Sequence, residues 1–472
     1  MAAGPPPAAP PQTPPPPVVP PPAAAPFAPA AGPPAPPGYA PMPAAPAGPT
    51  PLGAFFGRVF RGDWAGSAKA AAWPSGLIVA LAVALSIPTY GQGDDIVVGW
   101  SDRLRLALAM LLQAFGGGFE VRPAGSGGPN GSGYGSDYDY GSDYGSGGSD
   151  FGSGSGFGSL DPGTQGSYTL DLVPLTVTVL WIGALILGAR AVRRQGGGLE
   201  AAVRISLVAT AAVLLLGLFA QPEVADVSVS SSPVLAALGA FVMALLVTGG
   251  VLQRDAAAQW MAGRPGTLTL VRAAGSAVRA MGAVLLLCSL IGFVLYATAD
   301  DVDGQALLIA LPVLPNIGLH VLGLSWGAHL EYDIQGWLDF SGSDLRNRSF
   351  GLSGLADEFG GWALTGALAT GVVCALLVGL LAARRSAGRG EQVTAGGLFL
   401  LLFLVLAGLG GVSSGLSDRD DRGTAAFALN LPEVLLFGLL WVGCAVLVAP
   451  YLLRLTGRTE AVPPTYPGPP GP

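Results

Sequence analysis

Eight long apolar runs dominate this chain, and each is close to the length that a helix needs to cross a bilayer. A hydrocarbon core of about 30 Å takes roughly 20 helical residues. Because lipid offers no hydrogen-bond partner to a bare backbone, spanning runs of this kind are expected to be helical. The predicted spans are 73–90, 170–189, 201–220, 233–252, 278–298, 361–383, 394–412 and 433–453. The sequence therefore predicts an all-α integral membrane protein, a polytopic helical bundle.

The charge content supports this environment. Only 11% of the 472 residues are charged, whereas an ordinary soluble domain carries about a quarter. A water-soluble enzyme of this length would lack the charges to coat its surface, so the lipid bilayer is the predicted partner. The formal net charge of −7 argues against nucleic acid, because phosphates require a basic face.

Two further apolar segments, 102–119 and 306–326, do not read as simple spans. The first begins with a charged stretch from Asp102 and leaves too few apolar positions to cross. The second is broken by Pro312 and Pro315, and a proline inside a helix removes a hydrogen bond and clashes with the preceding turn. Both are predicted to be re-entrant or interfacial.

The distribution of basic residues favours eight spans within a range of eight to ten. With a cytoplasmic N-terminus and eight crossings, the inner segments hold 16 of the 23 basic residues and 5 of the 30 acidic residues, as the positive-inside rule requires. A full crossing by 306–326 would instead place the acidic segment 327–360 inside. The sequence predicts a multi-pass plasma-membrane protein with both termini cytoplasmic.

The predicted spans divide into two similar halves, 52–252 and 253–453. Each half opens on small residues, continues through a broken apolar stretch and an outer loop, and has a span that ends at paired arginines. Four spans per half give both halves the same orientation, so the halves are parallel repeats. Such repeats occur in transporters, and they also arise by duplication without any transport role.

Three low-complexity segments lie outside the spans. Residues 1–51 hold more than half of the 42 prolines and no charged residue, which predicts a disordered, cytoplasmic tail. The outer loop 116–168 is rich in Gly, Ser, Asp and Tyr and cannot bury enough apolar area to order itself. A second disordered cytoplasmic tail is predicted for 454–472.

The chain shows no constellation of nucleophile and base, so no enzyme activity, cofactor or metal is predicted. The G-x-S-x-G pattern at 323–327 lacks the strand–turn–helix context that the motif needs. The spacing of the histidines and nearby carboxylates matches no recognised metal site. The cysteines all fall inside apolar runs and are predicted to be buried core residues: Cys288, Cys374 and Cys444.

Two functions remain open at this point. The first is an envelope-associated structural or interaction protein, whose acidic outer loops contact an envelope protein partner or a cation. The alternative is a transporter or channel subunit with solute contacts at the broken segments, although no carboxylate lies near a span centre as ion-coupled carriers usually require. The sequence does not define the oligomeric state. The candidate solute or partner contacts are Asn316, His320, His329, Glu331, Asp333 and Gln113.

Several strings, taken in order, resemble the streptophobe family, a group of hydrophobic multispan proteins of Streptomyces and relatives. The resemblance covers roughly residues 55–455. It implies a plasma-membrane location and no established activity, cofactor or catalytic residue. The strings are 64–67 (WAGS), 98–104 (VGWSDRL), 229–233 (VSSSP), 324–327 (LSWG) and 431–435 (LPEVL).

Overall fold

The structure is a computed structural model that describes ten stretches of the chain and separates a segment Met1–Gly53 from a compact unit Ala54–Pro472. The predictions for 1–49, for 124–166 in the outer loop and for 456–472 lie outside the described residues. Those residues are 50–87, 99–123, 167–221, 223–224, 227–299, 302, 304–335, 347–386, 388–417 and 422–455.

The described part of the chain is mostly helical. The helices are α1 Pro51–Arg61, α2 Trp64–Ser86, α3 Trp100–Leu112, α4 Leu175–Arg194, α5 Leu199–Phe219, α6 Pro233–Leu252, α7 Arg254–Ala262, α8 Pro265–Ala297, α9 Gly304–Ala310, α10 Leu314–Trp326, α11 Leu352–Phe359, α12 Gly361–Arg385, α13 Arg389–Leu409 and α14 Leu431–Leu455. Among the described residues, nine helical segments are long and apolar enough to cross a membrane. This confirms a multi-pass helical membrane protein.

The ninth segment is Ala306–Trp326, which sequence analysis did not read as a simple span. Pro312 lies in a 3-10 turn, Leu311–Val313, that joins α9 to α10, and Pro315 lies in the first turn of α10. A proline at a helix start loses no intrahelical hydrogen bond. The prolines therefore mark a change of helix type without shortening the apolar segment.

The earlier broken segment is shorter. Helix α3 has 13 residues and passes into a 3-10 turn, Gln113–Phe115, which ends at Gly116 with φ of 83°. This segment is not among the nine, in line with the prediction that it is no simple span. Helix α10 also ends on a left-handed glycine, Gly327 with φ of 104°. The left-handed conformation suits glycine because it has no Cβ.

An eight-stranded antiparallel sheet joins the segments between the helices, and sequence analysis did not predict it. The strands occur in the order β3-β4-β1-β2-β7-β8-β5-β6. They are β1 Glu120–Pro123, β2 Ser167–Leu172, β3 Glu223–Val224, β4 Val227–Ser230, β5 Leu330–Gln335, β6 Asn347–Phe350, β7 Val412–Ser417 and β8 Arg422–Leu429. The predicted outer loops thus contain regular structure.

The two faces of the sheet differ in polarity. Residues alternate between faces along a strand, and the buried members Val121, Val229, Leu330 and Leu429 fall on one of them. That face packs on the helical core. The opposite face carries small, hydroxyl and charged residues: Ser228, Ser230, Glu120, Arg122, Thr169, Asp171, Ser413, Gly415, Ala426, Ala428, Glu331 and Asp333.

The first four and last four strands have the same internal order. In each set the third strand along the chain pairs with the fourth, the fourth with the first, and the first with the second. Pairing of β2 with β7 joins the two sets. Each set is interleaved with long helices in the same sequence, and each begins within four residues of a left-handed glycine, Gly116 or Gly327.

Small residues bring the helices close together. A Cβ added to Gly188 on α4 would lie 2.5 Å from the carbonyl oxygen of Ala70 on α2. The sulfur atoms of Cys288 and Cys374 are 3.5 Å apart in the core, as predicted for buried residues. The prediction is wrong for Cys444, which is exposed on α14.

One ionisable side chain is more deeply buried than its position near a span end suggested. Arg204, near the start of α5, is 8% exposed. Its guanidinium donates hydrogen bonds to the carbonyl oxygens of Arg58 and Val59, each at 3.1 Å, and to Ser67 Oγ at 3.4 Å. These bonds satisfy the buried charge and attach α1 to α5 and α2.

Candidate functional site

A cleft of about 470 Å³ lies where the first four-strand set meets the start of α6. Its size falls within the usual range for small-molecule sites. Gln113, one of the predicted contact residues, lines it. The other lining residues are Gly116, Gly117, Gly118, Phe119, Glu120, Thr169, Asp171, Leu172, Val173, Ser230, Ser231, Ser232 and Leu235.

Gln113 helps to form one wall of this cleft. It is 4% exposed, and its Oε1 accepts a hydrogen bond from the backbone N–H of Leu172 at 3.2 Å. This bond fixes the end of β2 against the turn that follows α3. The role visible for Gln113 in the structure is therefore to shape the cleft.

The glycine run 116–118 supplies backbone donors to the cleft. Gly118 has a left-handed backbone, with φ of 62°, and the carbonyl of Gly117 accepts the N–H of Ser232 at 2.7 Å. The N–H groups of Gly117 and Gly118 have no hydrogen-bond partner among the described residues. In the first turn of α6, the N–H groups of Val234 and Leu235 also lack intrahelical partners, whereas Pro233 has no N–H.

Ser231 is a residue of this cleft whose hydroxyl group is buried. It is 9% exposed, and its Oγ is buried without a hydrogen-bond partner in the part of the chain that the structure describes. Leaving a buried hydroxyl unpaired costs free energy. Such groups in a cleft wall call for an explanation, and a bound ligand is one.

Two carboxylates lie at the cleft, in different electrostatic states. Glu120 is paired with Arg122, whose Nε and Nη2 both lie 2.8 Å from Glu120 Oε1. Asp171 is exposed and forms no salt bridge among the described residues. Asp171 therefore gives the cleft one uncompensated negative charge beside backbone and hydroxyl donors.

Asn316 is a connection between distant segments. It is 3% exposed and lies on α10. Its Oδ1 accepts the N–H of Leu175 at 3.2 Å, and its Nδ2 donates to the carbonyls of Val173 at 2.9 Å and Gly410 at 3.4 Å. The amide is saturated by protein, which suits a structural tie better than a solute contact.

His320 lies one helical turn further along α10. Its Nδ1 is 2.8 Å from the carbonyl oxygen of Asn316, and its ring packs against Phe427 of β8, with ring centroids 5.1 Å apart. These contacts place the half-buried His320 in the layer between the helices and the sheet.

His329, Glu331 and two residues around the start of α14 form a hydrogen-bonded cluster. The backbone nitrogen and Nδ1 of His329 each lie 2.7 Å from Glu433 Oε2. Asn430 Oδ1 accepts the N–H of Glu433 at 3.1 Å, and Asn430 Nδ2 donates to Glu331. The cluster caps α14 and connects the helix to β5.

Asp333 lies on β5, opposite Asn347 and Ala426. The structure does not bring the five candidate side chains of the second half together as one site, because His320 packs on Phe427 whereas His329 bonds Glu433. No group of three or more His, Cys, Asp or Glu that could hold a metal occurs in the described stretches. Ser325 of the G-x-S-x-G pattern is buried and donates to the Leu322 carbonyl within its own helix.

Sequence reasoning identified Gln113 but missed the rest of the cleft. The signals were the glycine run 116–118 and the serine run 230–232, which stand at the ends of two strands. Comparison with known proteins adds nothing to this geometry: no family model, curated protein or solved structure matches the chain.

Proposed function

We propose that this chain is a plasma-membrane protein that presents its β-sheet on the outer side of the membrane as an interaction surface for an envelope partner. The observation that carries the proposal is the continuous sheet, which collects the segments between helices from both halves of the chain into one surface. The resemblance to streptophobes is part of the same proposal and implies the same membrane location.

Sheet continuity supports eight crossings. All strands are hydrogen-bonded into one sheet, so each lies at the same end of the helical bundle. Helix α8 runs toward the sheet end, and β5 follows α10 directly. A full crossing by Ala306–Trp326 would carry β5 to the opposite end, away from its partner β8. The segment 306–326 is therefore proposed to enter and leave at the sheet end.

The charges support an outward-facing sheet. Helices α4 and α12 lead away from the sheet and have paired arginines in their last turns. Under the positive-inside rule these ends are cytoplasmic. Both termini are then cytoplasmic as well, because α2 and α14 also have their distal ends on that side. The sheet faces the envelope.

The common strand order of the two sets supports two parallel halves that arose by duplication. The shared features include the helix order, the glycine that precedes each set and the paired arginines. An even number of crossings per half gives both halves the same orientation. Two half-sheets could then join edge to edge through β2 and β7.

The distal face of the sheet suits a protein or other polymer of the envelope. Its side chains are small or polar, and four are acidic: Glu120, Asp171, Glu331 and Asp333. Arg122 lies on the same face, where it pairs with Glu120. Complementary charge steers association, so a partner with a basic contact region is expected.

Photo-crosslinking tests this proposal in intact cells. A photoreactive amino acid would replace Thr424 or Ser413, both exposed on the sheet, and Ala257 on α7 as a control at the opposite end. The proposal expects discrete protein adducts from the sheet positions and not from Ala257. Adducts to lipid alone from both sheet positions would contradict an interaction surface.

The transporter or channel alternative draws on the two broken segments that end inside the bundle. Alternating access requires one half to move against the other, whereas the Asn316 amide bonds both the α4 entry and the end of α13. Solute flux in proteoliposomes is the test. Flux that survives replacement of Asn316, His320 and Gln113 would remove these residues as solute contacts.

A further inference from the structure

We infer that the cleft at the start of α6 binds a zwitterionic phosphate ester with a nearby ammonium group, and that its source is the headgroup of an aminophospholipid such as phosphatidylethanolamine. The proposal concerns a small ligand at the membrane boundary. It does not depend on a protein partner at the sheet face.

The donor side of the cleft fits a phosphate. The N–H groups of Gly117 and Gly118 have no partner among the described residues. In the first turn of α6, Val234 and Leu235 add N–H groups at the positive end of the helix dipole, whereas Pro233 has no N–H and the N–H of Ser232 bonds the Gly117 carbonyl. The Oγ of Ser231 is buried and has no hydrogen-bond partner in the described part of the chain. Ser232 stands at the N-cap without a side-chain capping bond. Phosphates bind where such donors converge.

The acceptor side of the cleft fits an ammonium. Asp171 forms no salt bridge with any described residue, and its Oδ1 lies 3.9 Å from the position of a Cβ built on Gly118. A simple anion would be repelled by this charge. A ligand with a phosphate and an ammonium a few bonds apart satisfies both sides.

The position of the cleft favours a lipid as the source. Leu235 lines it, and Val234, Leu235 and Leu238 are exposed on α6, a helix long and apolar enough to cross a membrane. Lipid chains that cover this surface would bring their headgroups to the level of the cleft.

The second half of the chain contains a region that corresponds to this cleft. In the first half, Glu120 pairs with Ser230, and α6 begins three residues after Ser230. In the second half, Glu331 pairs with Ala428, and α14 begins three residues after Ala428. When the two halves are aligned on these two strand pairs, Gly118 corresponds to His329, and Leu235 corresponds to Glu433.

In the second half these two corresponding positions bond to each other. The Glu433 carboxylate lies at the start of α14 and accepts the backbone N–H of His329 at 2.7 Å. The corresponding N–H in the first half, that of Gly118, has no partner among the described residues. In the second half, the Glu433 carboxylate therefore occupies the position that stays open to an anion in the first half.

Native mass spectrometry of the full-length protein in detergent tests the proposal, with phosphatidylethanolamine and phosphatidylglycerol as probes. The wild-type protein is expected to retain phosphatidylethanolamine at least tenfold better than phosphatidylglycerol, which has no ammonium. Leu235→Glu introduces the carboxylate of the second half and is expected to lower retention at least tenfold. The matched control Leu235→Met fills the same space without charge and is expected to stay within twofold.

Two milder variants keep the test decisive if Leu235→Glu does not fold. Ser231→Ala is expected to lower retention of phosphatidylethanolamine about tenfold. Asp171→Asn is expected to remove the preference over phosphatidylglycerol. Equal retention of both lipids by the wild-type protein, or retention unchanged in every cleft variant, would overturn the proposal.

Competition with soluble phosphoethanolamine distinguishes the two sources of the same chemistry. Failure of millimolar phosphoethanolamine to displace the lipid supports the membrane source. Displacement at low concentration, lost in Leu235→Glu, would overturn the lipid assignment and assign the cleft to a water-soluble phosphoethanolamine ligand.

Discussion

Oδ1 of Asn316 accepts a hydrogen bond from the backbone N–H of Leu175 at 3.2 Å, across 141 positions of sequence. The same amide donates to Val173 and Gly410. A single side chain therefore connects α10 with the entry to α4 and the end of α13, just beneath the place where the two four-strand sets join.

Asn316→Ala is expected to destabilise the protein by about 3 kcal/mol, because it leaves several buried backbone groups without partners. Thermal unfolding in detergent measures the change. Thr370→Ala is the control, since that hydroxyl is exposed and bonds only within its own helix. Equal unfolding temperatures for the two variants would show that Asn316 is no tie.

Two glycines on α4 give a matched test of helix packing. Gly188→Ala is expected to cost about 2 kcal/mol, because the new Cβ would meet the Ala70 carbonyl at 2.5 Å. Gly183→Ala meets no atom within 4 Å and is expected to be neutral or to stabilise by up to about 1 kcal/mol. Unfolding measurements on both variants compare them directly, and equal loss would refute the close contact of α2 with α4.

Ser231→Ala is expected to stabilise the ligand-free protein by about 1 kcal/mol, because it removes a buried hydroxyl that has no partner within the described stretches. Residues that are retained for ligand binding often lower the stability of the folded protein. The melting temperature in detergent stripped of lipid measures this effect. A lower melting temperature would mean that Ser231 makes a structural bond in the protein.

Arg204→Met is expected to release α1, because the guanidinium holds the carbonyls of Arg58 and Val59. A cysteine at position 59 reports this, since Val59 is 1% exposed and should become reactive to thiol reagents in the variant. Arg279→Met serves as the control because Arg279 is exposed and bonds its own helix. Unchanged labelling in Arg204→Met would contradict the anchoring role.

The helices were predictable because the bilayer imposes a length and a composition on each span. The runs that became α4, α5, α6, α12, α13 and α14 differ from the predicted spans by only a few residues at their ends. The orientation of the spans was predicted from charged residues near their ends, such as the paired arginines in the last turns of α4 and α12. These signals are local in sequence, so a single chain displays them.

The sheet was not predictable on the same basis. Its strands are short, and β7 reads VSSGLS, a string rich in turn formers with little strand propensity. Its pairings are also distant, as in the bond from Thr169 to Gly415 across 246 positions. Strand pairing of this kind depends on helices that first bring the segments together.

The candidate site was predicted only in part, for a related reason. Gln113 does line the cleft. Asn316, His320 and His329 were predicted to be contact residues because they are polar residues in apolar surroundings. In the structure, each of them is hydrogen-bonded to another protein group. The donors without a partner among the described residues are instead backbone N–H groups and the Ser231 hydroxyl. Donors of this kind can be identified only from the folded structure.

Thiol labelling of intact cells tests whether one continuous sheet lies outside the membrane. In a chain without its native cysteines, single cysteines would replace Ser228 on β4 and Thr424 on β8, with Ala257 on α7 as the inner control. A membrane-impermeant reagent is expected to label positions 228 and 424 and to leave 257 protected until the cells are opened. Labelling of 228 with protection of 424 would mean that Ala306–Trp326 crosses the membrane and would contradict the account.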